Sequence, residues 1–177
     1  MARAAIPARG LLEANHFSKL LGEVCWGLNY ERQLNLSLNF GPPRLKIYEP
    51  RKSKSESSAV RRLMAQRHVI IKGKWWLWIY QGDWRLRLRN HDEIRSTSSS
   101  TRIDRTLRVL AGQKLTQVKV HRQTGSTTFS FDLGARLDVA SKSREAVALW
   151  MLYKKNGKVV RVWSDGMFDD FINGKPW

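Results

Sequence analysis

Two stretches of the chain follow one pattern: LNLSLNFG at positions 34–41 and TTFSFDLG at positions 127–134. In both, apolar and polar residues alternate, and a glycine closes the run. Alternation with a period of two is typical of a β-strand with one buried face, and the glycine is typical of the turn that follows. The sequence therefore predicts one strand-and-turn unit that occurs twice.

The match extends on both sides of these strands. In each copy a glycine, Gly22 or Gly112, stands ten positions before an Arg-Gln pair. After the strands, the run RLKI in the first copy is matched by RLDV in the second. We therefore predict pseudo-repeat one over 11–95 and pseudo-repeat two over 101–168, joined by a serine-rich stretch and packed as a single domain, 1–177.

Short helices are expected to accompany the strands. Apolar residues recur at helical spacing before Gly22 and before Gly112, which predicts a helix ending near each glycine, and a further helix is predicted over 58–67. The stretch WWLWIY at 75–80 is apolar at both odd and even positions, as is 148–153. Both are therefore predicted to be central strands that the helices cover on both faces. The predicted fold class is α+β: two pseudo-repeats of a helix plus antiparallel β-hairpins, packed as one mainly antiparallel sheet domain with three or four short helices.

The chain is strongly basic, and its charge is unevenly distributed. It has 32 Lys and Arg against 15 Asp and Glu, a formal net charge of +17. Residues 44–74 contain ten basic and two acidic side chains. Pseudo-repeat one is about 20 residues longer than its counterpart in this region, so we place a basic insert at about 49–72. Such a localised charge is typical of a protein that contacts a polyanion.

We predict a non-enzymatic protein that uses this insert and one nearby strand to contact the nucleic-acid backbone. Lys and Arg neutralise phosphates and release their counterions. The strand over 84–89 places three arginines on one face and Trp84, Leu86 and Leu88 on the other. No zinc finger or RNA-binding signature is present, so DNA or RNA is expected to bind without sequence preference. The predicted nucleic-acid-binding residues are Arg51, Lys52, Lys54, Arg61, Arg62, Arg67, Arg85, Arg87 and Arg89.

Two other functions compete with this prediction. The same basic patch could dock on an acidic protein partner, as in a protein-interaction module such as an immunity or regulatory protein. Alternatively, Asp165, Asp169 and Asp170 could hold a metal ion in a small nuclease. The sequence has no histidine pair at metal-binding spacing, no phosphate-binding glycine loop and no nucleophile elbow. We therefore assign no catalytic residue, no metal site and no cofactor.

Cysteine content and hydropathy set further limits. Cys25 is the only cysteine, which excludes an intramolecular disulfide framework and a cysteine-based zinc cluster. Its position in an apolar strand beside Trp26 predicts a buried thiol rather than a nucleophile. The chain has no apolar run of transmembrane length, and residues 1–10 lack the apolar segment of a secretory signal. We expect a cytoplasmic protein that does not bind membranes.

Several strings of the sequence resemble an uncharacterised family of small bacterial proteins of unknown function. They are LNLSLNFGPPRLKIYEP at 34–50, GKWWLWIY at 73–80, TTFSFDLGARLDV at 127–139 and LWMLY at 149–153. The resemblance runs over most of the chain. It implies a bacterial, cytoplasmic protein and supplies no activity and no site residue.

Overall fold

The computed structural model describes residues 17–31, 35–80, 82–90, 92–143 and 145–172. These residues form thirteen strands and two helices. In chain order they are β1 (Cys25–Glu31), β2 (Asn35–Phe40), β3 (Arg44–Tyr48), α1 (Ser58–Met64), β4 (His68–Lys72), β5 (Trp75–Ile79), β6 (Asp83–Arg87), β7 (Glu93–Arg95), α2 (Ser100–Leu110), β8 (Leu115–Val120), β9 (Thr127–Phe131), β10 (Arg136–Ala140), β11 (Ala148–Lys154), β12 (Lys158–Trp163) and β13 (Phe168–Ile172).

Two antiparallel sheets pack face to face as a β-sandwich. One sheet has the order β1-β2-β5-β11-β12-β13 and the other β7-β6-β10-β9-β8. Their inner side chains form one apolar cluster. Trp150 of β11 packs against Phe129 of β9, with ring centroids 5.7 Å apart, and Tyr30 of β1 packs against Trp84 of β6 at 5.9 Å. The core therefore lies between the sheets, as strand alternation requires.

The predicted α+β class with three or four helices is wrong. The described residues are mostly β, with 48% in strands and 12% in helices, and α1 and α2 are the two helices among them. α2 confirms the helix predicted before Gly112. The start of the helix predicted before Gly22 lies outside the described residues; in the described part, residues 17–22 form turns, and the Gly22 amide donates to the Leu115 carbonyl instead of continuing a helical ladder. A short apolar segment gains more from this contact between the copies than from a marginal helix.

The prediction that β5 is buried on both faces is also wrong. β5 and β11 are the two central strands of the six-stranded sheet, as expected. Trp75, Leu77 and Ile79 point into the core, whereas Trp76 and Trp78 lie on the outer face and are partly exposed. Neither helix covers them: none of the α1 side chains is buried, and α2 contacts β1 and β7. Large aromatic residues can line an uncovered face because neighbouring rings shield one another.

The strand pairing shows where the two copies differ. β2 pairs with β5 in one sheet as β9 pairs with β10 in the other. A four-residue turn, 132–135, joins β9 to β10, and Gly134 adopts a φ of +90° in it. The corresponding connection from β2 to β5 spans 41–74 and contains β3, α1 and β4. We call residues 44–72 the arm, because β3 and β4 form a separate two-stranded sheet.

Candidate nucleic-acid interface

The ribbon of the arm has two sides of different chemistry. β3 and β4 pair in antiparallel register from Arg44 opposite Lys72 to Tyr48 opposite His68. Because side chains alternate along a strand, Leu45, Ile47, Val69 and Ile71 share one side, where they are 52–68% exposed. The other side is partly buried and basic. We call it the basic side; its members are Arg44, Lys46, Tyr48, His68, Ile70 and Lys72.

Positive charges are crowded on the basic side. Burial lowers the pKa of Lys72 below its ordinary value, and the positive charges of Lys46 and Arg44 lower it further. The Lys46 ammonium lies 4.9 Å from the centroid of the Tyr48 ring, which stacks on His68 at 4.8 Å. The Arg44 Nε is buried without a hydrogen-bond partner. The basic side therefore holds charge that an approaching anion would stabilise.

Removing one of these cations should raise the pKa of another. In the variant Lys46→Gln, we expect the pKa of Lys72 to move upward toward the ordinary lysine value, because one repelling charge is lost. The measurement is an NMR titration of the lysine Cε and Nζ resonances. An unchanged pKa in this variant would show that the Lys46 charge does not contribute to the shift.

The loop before α1 is held against the helix by several of the predicted residues. The Arg61 guanidinium donates to the carbonyls of Ser55 and Glu56, at 2.9 and 2.7 Å. The Arg51 amide donates to the Met64 carbonyl at 2.7 Å. Arg51, Lys52 and Arg61 line one shallow pocket. Lys54 and Arg62 are exposed, and Arg67 forms an ion pair with Glu49 at 2.8 Å. The structure thus brings the six predicted residues of the insert together on the arm.

The arginine ladder lies elsewhere. Trp84, Leu86 and Leu88 are buried in the core, which confirms the predicted alternation. Arg85 and Arg87 therefore lie on the outer face of the five-stranded sheet, away from the six-stranded sheet that carries the arm. On that face Arg85 lies 4.0 Å from Glu93 and 3.9 Å from Asp138. Arg87 lies 3.4 Å from Glu93. Arg89, beyond β6, is exposed. The structure separates the ladder from the insert, and two of its three arginines are partly neutralised.

An aromatic surface, none of whose residues is among the predicted nucleic-acid-binding residues, adjoins the arm. We call Trp76, Trp78, Tyr80 and Tyr153 the aromatic face. The rings of Trp76 and Trp78 are nearly parallel, at 11° and 5.8 Å between centroids. Tyr153 of β11 lies 4.9 Å from Trp76 and is itself buried, whereas Tyr80 lies 4.8 Å from Trp78 and is 38% exposed. The signal in the sequence was the type of residue: the even positions of 75–80 are Trp, Trp and Tyr, which have polar atoms suited to an interface.

The arm and the aromatic face form one continuous surface. The Lys72 ammonium lies 4.2 Å from the centroid of the Trp76 ring. At the base of the arm, the Gly73 amide donates to the Asn39 Oδ1 at 3.0 Å, which fixes the arm to β2. On the far side of β11, the Arg161 guanidinium covers the rings of Trp163 and Phe171, at 4.6 and 4.9 Å. Cations thus flank the aromatic rings on both sides.

The three aspartates proposed as a metal site have separate roles. Asp169 forms an ion pair with Arg161. Asp170, the next residue of β13, points to the opposite face of that strand. The Asp165 carboxylate accepts a hydrogen bond from the Met167 amide within a turn. Within the described ranges, no three His, Cys, Asp or Glu side chains are grouped closely enough to hold a metal ion.

Cys25 is fully buried, as predicted, and burial raises the pKa of its thiol far above the ordinary value. A thiol that stays protonated is a poor nucleophile.

Among the described residues, the helices are too short and too polar to cross a membrane.

Neither the protein-family models, nor the curated proteins, nor the solved structures with which the chain was compared contain a match to it.

Proposed function

We propose that this chain is a non-enzymatic protein that binds the backbone of nucleic acid, without sequence preference, through the basic side of the arm and the loop that precedes α1. The observation that supports this most is the crowding of Arg44, Lys46 and Lys72 on one side of the ribbon, where burial lowers the pKa of Lys72 and the two neighbouring cations lower it further. Phosphates placed there would relieve the repulsion and release counterions. We also propose a cytoplasmic location.

The arm is a better phosphate-binding surface than the arginine ladder. Arg85 and Arg87 already face the carboxylates of Glu93 and Asp138 across the sheet. A phosphate that approached the ladder would compete with these carboxylates, whereas the basic side has two further cations beside Lys72. We therefore propose that the ladder contributes to the overall positive field and that the arm makes the contacts.

A charge-matched pair of variants tests this assignment. We expect Lys46→Gln with Lys72→Gln to weaken the binding of an oligonucleotide by about ten-fold at low salt and to reduce the salt slope by roughly 1.5, because two phosphate contacts are lost. The control, Arg85→Gln with Arg87→Gln, removes the same charge from the other sheet and should change affinity by about two-fold or less. Fluorescence anisotropy at several salt concentrations measures both effects.

Two outcomes would count against the proposal. If the wild-type chain shows no affinity for DNA or RNA at low salt, nucleic-acid binding is excluded. If the two double variants lose the same affinity, net charge rather than the arm determines binding. Thermal unfolding of each variant shows that any loss is not caused by unfolding.

The exposed apolar side of the arm favours a second candidate, a protein-interaction module that docks on an acidic partner. Leu45, Ile47, Val69 and Ile71 form an exposed apolar strip on the side of the ribbon opposite its cations, and exposed apolar patches are typical of protein interfaces. Purification separates the candidates. A stoichiometric protein partner without nucleic-acid absorbance supports docking, whereas nucleic-acid absorbance that nuclease removes supports the first proposal.

A further inference from the structure

We infer that the ligand is single-stranded nucleic acid, whose phosphates lie along the basic side while its bases lie against the aromatic face. This inference rests on the proposed function and adds to it which form of nucleic acid binds. DNA and RNA single strands share the chemistry concerned, an anionic backbone and unpaired bases with π-faces.

The contact between Lys72 and Trp76 is the first argument. Each nucleotide presents a negative phosphate and a planar base, and the surface presents a cation and an indole ring 4.2 Å from each other. Arg44 lies across the ribbon from Lys72, and Trp78 follows Trp76 along β5. A strand that passes from the ribbon to the sheet thus meets cations first and rings next. Grooves that combine cations with stacking residues are typical of single-strand binding.

The exposure of the rings is the second argument. Trp76 and Trp78 retain partial exposure in the middle of a six-stranded sheet, at positions where strand alternation would bury Leu or Val if another layer covered them. Tyr80 extends the row beyond the end of β5. The bases of a duplex are stacked on one another and paired, so a duplex cannot offer them to these rings. Only an unpaired strand can contact both the basic side of the arm and the aromatic face.

The residues beside the rings are the third argument. On β2, Asn39 and Ser37 lie directly opposite Trp76 and Trp78. On β12, Arg161 lies opposite Met151. Asn39 is buried, and its amide is already bonded to Gly27 and Gly73. Arg161 is paired with Asp169. The partly exposed Ser37 hydroxyl can hydrogen-bond to the edge of an unpaired base, and the positive charge of the surface favours an anionic ligand over a neutral one.

The test compares wild type with Trp78→Leu and Trp78→Phe on labelled oligo-dT, oligo-rU and a mixed-sequence duplex of equal phosphate count. We expect wild type to bind the single strands at least about ten-fold more tightly than the duplex. Trp78→Leu should lose about ten-fold on single strands, with its salt slope and its duplex affinity unchanged, and Trp78→Phe should recover most of the loss. Tyr80→Ala, at an exposed position, should give a smaller loss and serves if Trp78→Leu does not fold.

The outcomes distinguish this inference from the proposed function. If the duplex binds as tightly as the single strands and the Trp78 and Tyr80 variants bind normally, while Lys46→Gln with Lys72→Gln still weakens binding, the inference fails and the proposed function stands. If neither form binds at low salt, both fail. If heparin, which has no bases, displaces a single strand as effectively per charge as another single strand does, the inference also fails. A preference for oligo-dT or for oligo-rU supports it and identifies the favoured sugar.

Discussion

Replacing residues 41–74 by the four-residue turn of the second copy, Asp-Leu-Gly-Ala, is expected to abolish nucleic-acid binding and to leave the sandwich folded. The replacement removes ten basic side chains, among them Lys72, the link to the aromatic face. Since non-specific affinity comes almost entirely from phosphate contacts, we expect a loss of more than about 100-fold at low salt.

The geometry of the sheets supports the expectation that the sandwich stays folded without the arm. Phe40 lies directly opposite Trp75 in the β2–β5 register, so a tight turn can join them. In the second copy the Phe131 amide donates to the Ala135 carbonyl at 2.9 Å across the corresponding turn. The core cluster includes Phe40 and Trp75 and no residue of the arm. The expected cost is the loss of hydrogen bonds at the base, such as Gly73 to Asn39, of about 1 kcal/mol each.

Circular dichroism and thermal unfolding measure whether the shortened chain folds. Fluorescence anisotropy on the same sample measures whether it binds nucleic acid. We expect cooperative unfolding within several degrees of wild type and no binding to labelled oligonucleotides. A shortened chain that is unfolded would show that the arm belongs to the structural unit. A folded chain that binds as tightly as wild type would place the interface elsewhere, and the arginine ladder would then be the next surface to test.

Local features of the fold could be predicted from the sequence. Ile103, Leu107 and Leu110 recur at helical spacing, and all three are buried on α2. The Asn-Gly pair at 156–157 predicts a hairpin turn, and a three-residue connection, 155–157, does join β11 to β12, with Gly157 at a φ of +79°. Both signals come from residues that are close together in the sequence, so the helix and the turn can be predicted without knowledge of the fold.

The arrangement of strands and the aromatic part of the candidate interface could not be predicted in the same way. Which strands become neighbours depends on pairing over long sequence separations: β5 pairs with β11 across about 70 residues, and no local pattern encodes that choice. The stretch 75–80 shows the same limit, because apolar residues on both faces of a strand indicate burial only if a second layer exists. Neither helix in the described part of the chain supplies that layer, so Trp76 and Trp78 remain partly exposed.

The second large effect, a loss of stability, is expected when Trp150 is replaced, where the two copies meet in the core. Its side chain is completely buried on β11, packs against Phe129 of β9 and Phe17, and donates from its indole Nε1 to the Thr127 Oγ1 at 2.8 Å. Trp150→Ala opens a large cavity between the sheets and removes this hydrogen bond. We expect a loss of about 3–5 kcal/mol in the free energy of unfolding. For a chain of this length that corresponds to a fall in Tm of roughly 10 °C.

Trp78→Ala is the matched control for this prediction, because it removes the same side chain from the neighbouring central strand on the outer face of the same sheet. Trp78 is only partly buried, so less apolar surface is lost and solvent fills the gap. We expect a loss of stability well below half that of Trp150→Ala, measured by chemical denaturation of both variants. Equal losses would mean that the outer face is covered as completely as the core. The aromatic face would then be a structural layer, and a single strand could not reach it.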